Sequence, residues 1–390
     1  MDISYRIDKD ILYVAVEGRV DASNASLAEE KILAIKNENS DKHLVIDADK
    51  LEYISSAGLR VILKLRKEEP KLAIINVAAD VYDVFDMTGF TDMVTIEKAF
   101  PIMSVDGCEF IAKGANGAVY RYDDETIVKT YFSKDSLPEI KLERENARIA
   151  FTMGINTAIP YGIVRVGEGY GTVTELLNAK SVTKMICENP DDLSTPVKYY
   201  IDMLKSIHQI EVEEGTVANM QEIALGWAKF VSQYIPEDQG EKLCSLIRNL
   251  PKKNTLLHGD YHTSNVMIQN GEPLLIDMDT LCMGHPIFEF GSMFNAFVGF
   301  SELNHKNTEN FFGYTYETAG LFWDKVLKMY LGTDDEAIRQ SFVEKAMIIG
   351  YLRMMRRAVR RPEDVESQAK VERCKEMLAM LLAKVDTLDF

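Results

Sequence analysis

No apolar run in the 390-residue chain approaches the roughly 18 residues that a membrane helix needs, which excludes a helical membrane span. Its opening stretch, MDISYRIDKD, has no basic segment followed by an apolar core, so the expectation is a cytoplasmic protein without a secretory signal. Cysteine is sparse: Cys108, Cys187, Cys244, Cys282 and Cys374 lie far apart with no CxxC pair, which argues against thiol-ligated zinc and dithiol redox chemistry and predicts reduced, mostly buried thiols. The six histidines offer no third spaced partner for a zinc site either. Positive charge is short as well, with 44 Lys and Arg against 61 Asp and Glu and a net charge of -17. A polyanion would be repelled, so nucleic acid is excluded as a nonspecific partner while a cationic substrate stays compatible. Residues 1–100 carry 13 basic and 19 acidic side chains, a net of -6, which leaves -11 for the other 290, so the acidity is spread along the chain. Internal repeats and low-complexity tracts are absent too.

The length suits two or three domains. In the first hundred residues, short β-rich runs (Leu12 to Val16, His43 to Asp47, Leu72 to Val77) alternate with helical patterns (Ser26 to Asn37, Ala57 to Glu68, Ala79 to Met87), which predicts a compact α/β domain over 1–100. A second block starts near Val105 with strand-like segments at Cys108 to Ala112, Val119 to Tyr122 and Thr126 to Tyr131, a meander followed by a helix. From Tyr199 onward amphipathic patterns dominate, broken by apolar and polar alternation between Thr255 and Asp279. The divisions are therefore 1–100, a small lobe over 105–178 and a mainly helical lobe over 179–390.

The strongest chemical signal is Leu257-His258-Gly259-Asp260-Tyr261-His262-Thr263-Ser264-Asn265, followed twelve residues later by Asp277 in Leu274-Leu275-Ile276-Asp277-Met278-Asp279. Phosphoryl transfer needs a carboxylate that orients a hydroxyl and receives its proton, plus oxygen ligands that hold a hard cation against nucleotide phosphates. Asp260 suits the first role, and Asn265 with Asp277 the second. Upstream, Ala112-Lys113-Gly114-Ala115-Asn116-Gly117-Ala118-Val119 is close to a GxGxxGxV phosphate loop, with Ala112 at the first glycine position. Lys129 follows in a strand at a distance from which it can reach α- and β-phosphates.

These motifs resemble those of the aminoglycoside phosphotransferase and choline kinase family, over roughly residues 105 to 390. The resemblance implies an α+β bilobal protein-kinase-like fold with ATP and Mg2+ as cofactors and a small-molecule hydroxyl as acceptor. It assigns Asp260 as catalytic base and Asn265 and Asp277 as metal ligands. It places Gly114, Asn116, Gly117 and Lys129 at the nucleotide phosphates. Glu145, in the segment Glu143-Arg144-Glu145-Asn146 that opens a helix, becomes the carboxylate paired with Lys129, with Glu143 as the fallback. Glu175 and Leu177 in Val173-Thr174-Glu175-Leu176-Leu177 take the position of the hinge whose backbone meets adenine. His258 and His262 brace the catalytic loop, and Glu289 in Gly284-His285-Pro286-Ile287-Phe288-Glu289-Phe290-Gly291 supports it where an aspartate is common. Phe294, Phe297, Phe300, Trp323 and Tyr330 are read as core rather than pocket wall. Arg353, Arg356, Arg357, Arg360 and Arg361 share one helical face, which reads either as a salt-bridged or solvated stripe or as a grip on a phosphate or an acidic partner domain.

In the N-terminal part, Leu44-Val45-Ile46-Asp47 through Tyr53-Ile54-Ser55-Ser56-Ala57-Gly58-Leu59 resembles the STAS domain of anti-sigma factor antagonists, with Glu17-Gly18-Arg19-Val20-Asp21 and Val84-Phe85-Asp86-Met87-Thr88-Gly89-Phe90 matching in order. That resemblance implies an α/β STAS fold and an anti-sigma kinase or other signalling protein as partner. It makes Ser56 a phosphosite, where about two negative charges would be added at a helix start. Ser55 stands where an aspartate is usual, and a plain capping role for Ser55 and Ser56 is the competing reading. Two functions are thus carried forward: a small-molecule phosphotransferase with a regulatory domain, and a partner-switching signalling protein whose second domain phosphorylates protein or senses nucleotide.

Overall fold

In the computed structural model, which describes residues 1–114, 116–158 and 160–390, the chain divides into the units Met1–Ser104 and Val105–Phe390. In the first unit the strand Ile11–Val20 alternates strictly enough to bury Leu12, Val14, Val16 and Val20. It pairs antiparallel with Asp2–Asp8 and parallel with His43–Asp47, and the sheet continues in parallel through Ala73–Val77 to Thr95–Lys98. Leu51–Ile54 pairs with the far end of Ile11–Val20. Asp2–Asp8, which is not among the expected strands, alternates in sequence, with Ile3, Tyr5 and Ile7 between Asp2, Ser4, Arg6 and Asp8, but it lies at the sheet edge and is almost wholly exposed. The helices Ala25–Glu38, Ser56–Glu68 and Ala79–Met87 bury Ile32, Leu65 and Phe85 in one cluster with the sheet. Gly58 is required by this packing, since a Cβ there would lie 2.6 Å from Ile54 Cγ1.

In the second unit, Glu109–Lys113, Gly117–Arg121, Thr126–Tyr131, Gly169–Glu175 and Pro160–Val166 lie side by side in that order, each antiparallel to the next. The helix Leu137–Thr152 follows the third of them in sequence. The remainder is mainly helical, with Ser194–His208, Met220–Val231, Glu237–Arg248, Ile287–Phe297, Tyr316–Leu331, Glu336–Arg360 and Ser367–Leu382 around one apolar core. Helical structure therefore begins before Tyr199. Phe294, Phe297 and Trp323 are buried in that core, and the half-buried Phe300 and Tyr330 pack against it. Each buried Phe contributes about 1.5–3 kcal/mol of apolar transfer. Inside this lobe the strands Val266–Gln269 and Glu272–Leu275 form a hairpin whose turn, Asn270-Gly271, has positive φ at both residues (53° and 84°), as a two-residue turn with matching twist demands. The thiols are unpaired, but only Cys282 and Cys374 are buried; Cys187 is exposed, contrary to the expectation of mostly buried thiols. Among the described residues no helix is long and apolar enough to cross a membrane.

Candidate active site

Strand alternation sets the first half of the site. In Thr126–Tyr131, Val128 is fully buried, which turns Lys129 and Tyr131 to the other face. There Lys129 Nζ donates to Glu143 Oε1 at 2.8 Å and Oε2 at 3.1 Å, and Tyr131 Oη donates to Glu143 Oε2 at 2.8 Å. Lys129 Nζ also lies 3.4 Å from Asp277 Oδ1. Burial opposes charge on Lys129, yet Asp277 and Glu143 outweigh it and hold its pKa well above the usual lysine range. Burial, with the negative charge of Glu143, raises Tyr131 and keeps it a neutral donor.

The partner of Lys129 is therefore Glu143 and not Glu145, which instead pairs with Arg148 at 2.6 Å on an exposed surface. The cause is helix phase. The helix begins at Leu137, six residues before Glu143, so Glu143-Arg144-Glu145-Asn146 lies well inside it rather than opening it. Glu143, Asn146, Ala147 and Ala150 follow the 3,1,3 spacing of one face, and Glu145 sits about 200° away from Glu143. On the inward face Asn146, 4 % exposed, donates to Met278 O at 2.9 Å and ties this helix to the turn after Asp277.

The glycine loop is a hairpin tip between Glu109–Lys113 and Gly117–Arg121, closed by Gly114 N donating to Gly117 O at 2.9 Å. Gly117 cannot carry a side chain, because a Cβ would fall 2.1 Å from Thr130 O, whereas at Gly114 a Cβ would meet only Gly117 O, at 4.0 Å. Asn116 O accepts from Phe132 N at 3.0 Å. Ala115 lies outside the described residues. Glu175 ends the strand Gly169–Glu175, and Leu177 sits two residues on, in the segment that leads to Lys180–Ser181. Both stand at the junction of the sheet with the helical part.

The second half of the site hangs on the loop 258–265. His258, fully buried, donates its backbone N–H to Glu289 Oε2 at 2.6 Å, and Gly259 N donates to Glu289 Oε1 at 3.0 Å. Glu289 itself is 0 % exposed, so its carboxylate clamps the loop from inside the helix Ile287–Phe297. Gly259 has φ +82°, and a Cβ there would meet Thr280 O at 2.4 Å, so only glycine fits. Tyr200 and Tyr261 exchange hydrogen bonds, each hydroxyl donating to the other's backbone carbonyl at 3.0 and 2.7 Å. His258 Nε2 meets Ile276 O at 3.1 Å, and His262 Nδ1 accepts from Ser264 N at 3.3 Å. Burial keeps His262 below the usual histidine range and hence neutral.

These braces leave Asp260 with 43 % of its side-chain surface open. Burial would raise its pKa, but Arg353 first, with His262, His258 and a hydrogen bond from Ser292, holds it below the usual carboxylate range. Arg353 reaches Gly259 O at 2.6 Å, Ser292 Oγ at 2.7 Å and Asp260 Oδ1 at 3.4 Å. Asn265 Nδ2 donates to Asp260 O at 3.0 Å, which leaves the Asn265 side-chain oxygen as the available donor atom. Asp277 takes a left-handed conformation (φ 66°, ψ 67°) as the chain leaves the hairpin. Next to it Asp279 is pushed up to about 6 by burial, Asp277 and Glu143. Sequence reading named Arg353 only as part of a stripe and missed Ser292, Asn146 and Tyr200; none of these carries a local motif. In the N-terminal unit, Ser55 Oγ accepts from Ala57 N and Gly58 N at 3.2 and 3.4 Å and so caps the helix, while Ser56, the first helical residue, is exposed.

Comparison with known proteins places both units. The model of the phosphotransferase enzyme family matches residues 107–319, and that of the STAS domain matches residues 2–101. A protein of Bordetella bronchiseptica, provisionally named anti-sigma factor antagonist BtrV, is 32 % identical over 93 residues, 23 % of this chain and 79 % of that one. Among solved structures, the ADP-bound aminoglycoside phosphotransferase APH(2'')-Ib superposes with a TM-score of 0.49 at 15 % identity, covering 70 % of this chain and 93 % of that one. The gentamicin complex of APH(2")-IIa gives 0.47 at 14 %, covering 81 % and 99 %. The chain belongs to the phosphotransferase enzyme family, and it carries a STAS domain ahead of that family's kinase-like fold.

Proposed function

We propose that the chain transfers the γ-phosphoryl group of ATP to a hydroxyl of a small molecule. The observation that carries this reading is the convergence of Lys129 with Glu143 and Asp277, together with an open Asp260 held on the loop that also bears Asn265. Asp260 accepts the proton as the acceptor oxygen bonds to the γ-phosphorus and the bond to the β-phosphate oxygen breaks, its electron pair leaving on ADP. Its lowered pKa keeps it ionised and able to orient the hydroxyl at neutral pH. Lys129, fixed by Glu143, binds the α- and β-phosphates, and the backbone at Gly114, Asn116 and Gly117 lies over them. Glu175 and Leu177 offer backbone groups to the adenine.

One amide oxygen and one carboxylate form a hard donor set, which fits magnesium and not zinc. Asn265 and Asp277 are the residues that would hold it, and when bound it supplies charge neutralisation at the phosphates. Replacing Asp260 by Asn tests the assignment. Transfer should fall by about 10²–10⁴-fold, while the rise in melting temperature on adding ATP with magnesium should persist. Undiminished transfer would remove Asp260 from its role.

In the N-terminal unit, Ser55 is engaged as a cap and Ser56 is exposed, which favours Ser56 as the hydroxyl that receives phosphate from a partner such as an anti-sigma kinase. Intact-mass analysis of the chain and of Ser56→Ala after incubation with cell extract and ATP tests it. A gain of one phosphate in both proteins would exclude Ser56.

A further inference from the structure

The arginine row on the helix Glu336–Arg360 is not accounted for by the proton transfer or by nucleotide binding. Its first member is tied to the base: Arg353 contacts Asp260 Oδ1, Ser292 Oγ and Gly259 O. Arg357 follows one turn on, about 6 Å further along the axis, with its guanidinium 5.7 Å above the Phe300 ring. Arg356 lies 5.3 Å above Trp227 on the flank. The helix ends at Arg360, so Arg361 stands just past it as the cap.

A salt-bridged stripe needs acidic partners, and the chain has 61 Asp and Glu for 44 Lys and Arg. Other bases find them, as the half-buried Arg373 does with Glu302 and Glu376. Among the described residues, however, Arg353 is the only member of the row with an ion pair, at 3.4 Å from Asp260. The groups that act on Arg357 are Arg361, Arg353, Asp364 and Asp260; burial and the two arginines together outweigh the two acids. A basic last turn also complements the helix dipole. That accounts for Arg357 and Arg360, which lie in the last turn, but not for Arg353 and Arg356.

We propose that the face running from Arg353 to Arg357 receives an anionic group of the acceptor, a phosphate ester or carboxylate on the same small molecule whose hydroxyl meets Asp260. This rests on the phosphotransfer reading above. Guanidinium groups present paired N–H donors that match either oxyanion, and the Phe300 ring beneath Arg357 limits its hydration. Arg353 acts as a positioning residue that holds the base, and Arg357 as the group that meets the anion, flanked by Arg356. The arginine face beside Asp260 is thereby set against a polycationic substrate, although the net charge of the whole chain would attract one.

The test uses the full chain, first saturated with magnesium and a non-hydrolysable ATP analogue so that the nucleotide site is filled. Calorimetry with pyrophosphate should detect a remaining site, weakened at least tenfold in the double variant Arg356→Gln/Arg357→Gln, which keeps the melting shift caused by the analogue. Absence of that site, or unchanged binding in the double variant, overturns the proposal. In turnover with ATP, hydroxylated sugar phosphates and sugar acids should be phosphorylated, the better of the two sets naming the anion, with KM in the double variant raised at least tenfold. Phosphorylation of kanamycin or choline with neither anionic set accepted overturns the proposal while leaving phosphotransfer intact. If the analogue gives no melting shift but arginine-dependent pyrophosphate binding persists, the nucleotide reading fails and the anion site stands.

Discussion

The Ser55–Ser56 helix start and the Asp260 loop both hold polar side chains in place, but by different means. Ser55 is held by backbone N–H groups two and three residues away. Asp260 and its neighbours are held by residues far off in sequence: Glu289 on His258, Arg353 on Gly259, and Lys129 reaching Asp277 across 148 positions. A local cap costs little to build and little to lose. A loop fixed from several distant elements is ordered only when the whole lobe has packed, so its geometry and its stability are coupled.

That contrast predicts a graded series of effects. Glu289→Ala deletes the acceptor for two buried N–H groups, so the stability of the second unit should fall by about 3 kcal/mol. Transfer should fall with it, and chemical denaturation read alongside turnover checks the coupling. If activity survives the loss of stability, the loop is not held as described. Glu143→Gln should lower kcat/KM at least tenfold by loosening Lys129, while Glu145→Gln should stay within twofold; equal losses would break the assignment of the pair. The Asp279 carboxyl, ordinarily near 3.8, is pushed up to about 6 by burial and by Asp277 and Glu143. The folded state thus keeps a proton that the unfolded state has released, and stability contributed by this group declines as pH rises through roughly pH 4 to 6. The melting temperature of Asp279→Asn should show a flatter pH dependence across that window, and an unchanged slope would refute the shift. Smallest of all, Ser55→Ala should cost about 1 kcal/mol through the lost cap. Ser56→Ala should change stability by less than about 0.5 kcal/mol; a larger loss there would show that Ser56 shares the capping.

Legibility followed the same division. The segment from His258 to Asp277 was readable because one loop and one hairpin carry three chemically specific residues within twenty positions, and the Asn270-Gly271 turn sets their approach. The choice of Glu145 over Glu143 failed because the spacing of two glutamates does not say which face of the helix the sheet covers; Asn146 and Ala150, both buried, decide it. The arginine spacing was readable as a face, but not its contact with Asp260, 93 residues away. Asp2–Asp8 was legible in principle, since Ile3, Tyr5 and Ile7 alternate with polar residues, yet it was not among the expected strands; its edge position leaves that apolar face largely exposed.

By itself the sequence determined which residue types could perform phosphoryl transfer and where several strands and helices of the first unit form, since those depend on neighbours within a few residues. Only the tertiary structure decided that Glu143 pairs with Lys129, that Glu289 clamps the loop, and that an arginine from a distant helix stands beside Asp260. Those contacts arise from how helices and sheet pack, and packing brings together side chains whose separation along the chain leaves no periodic trace.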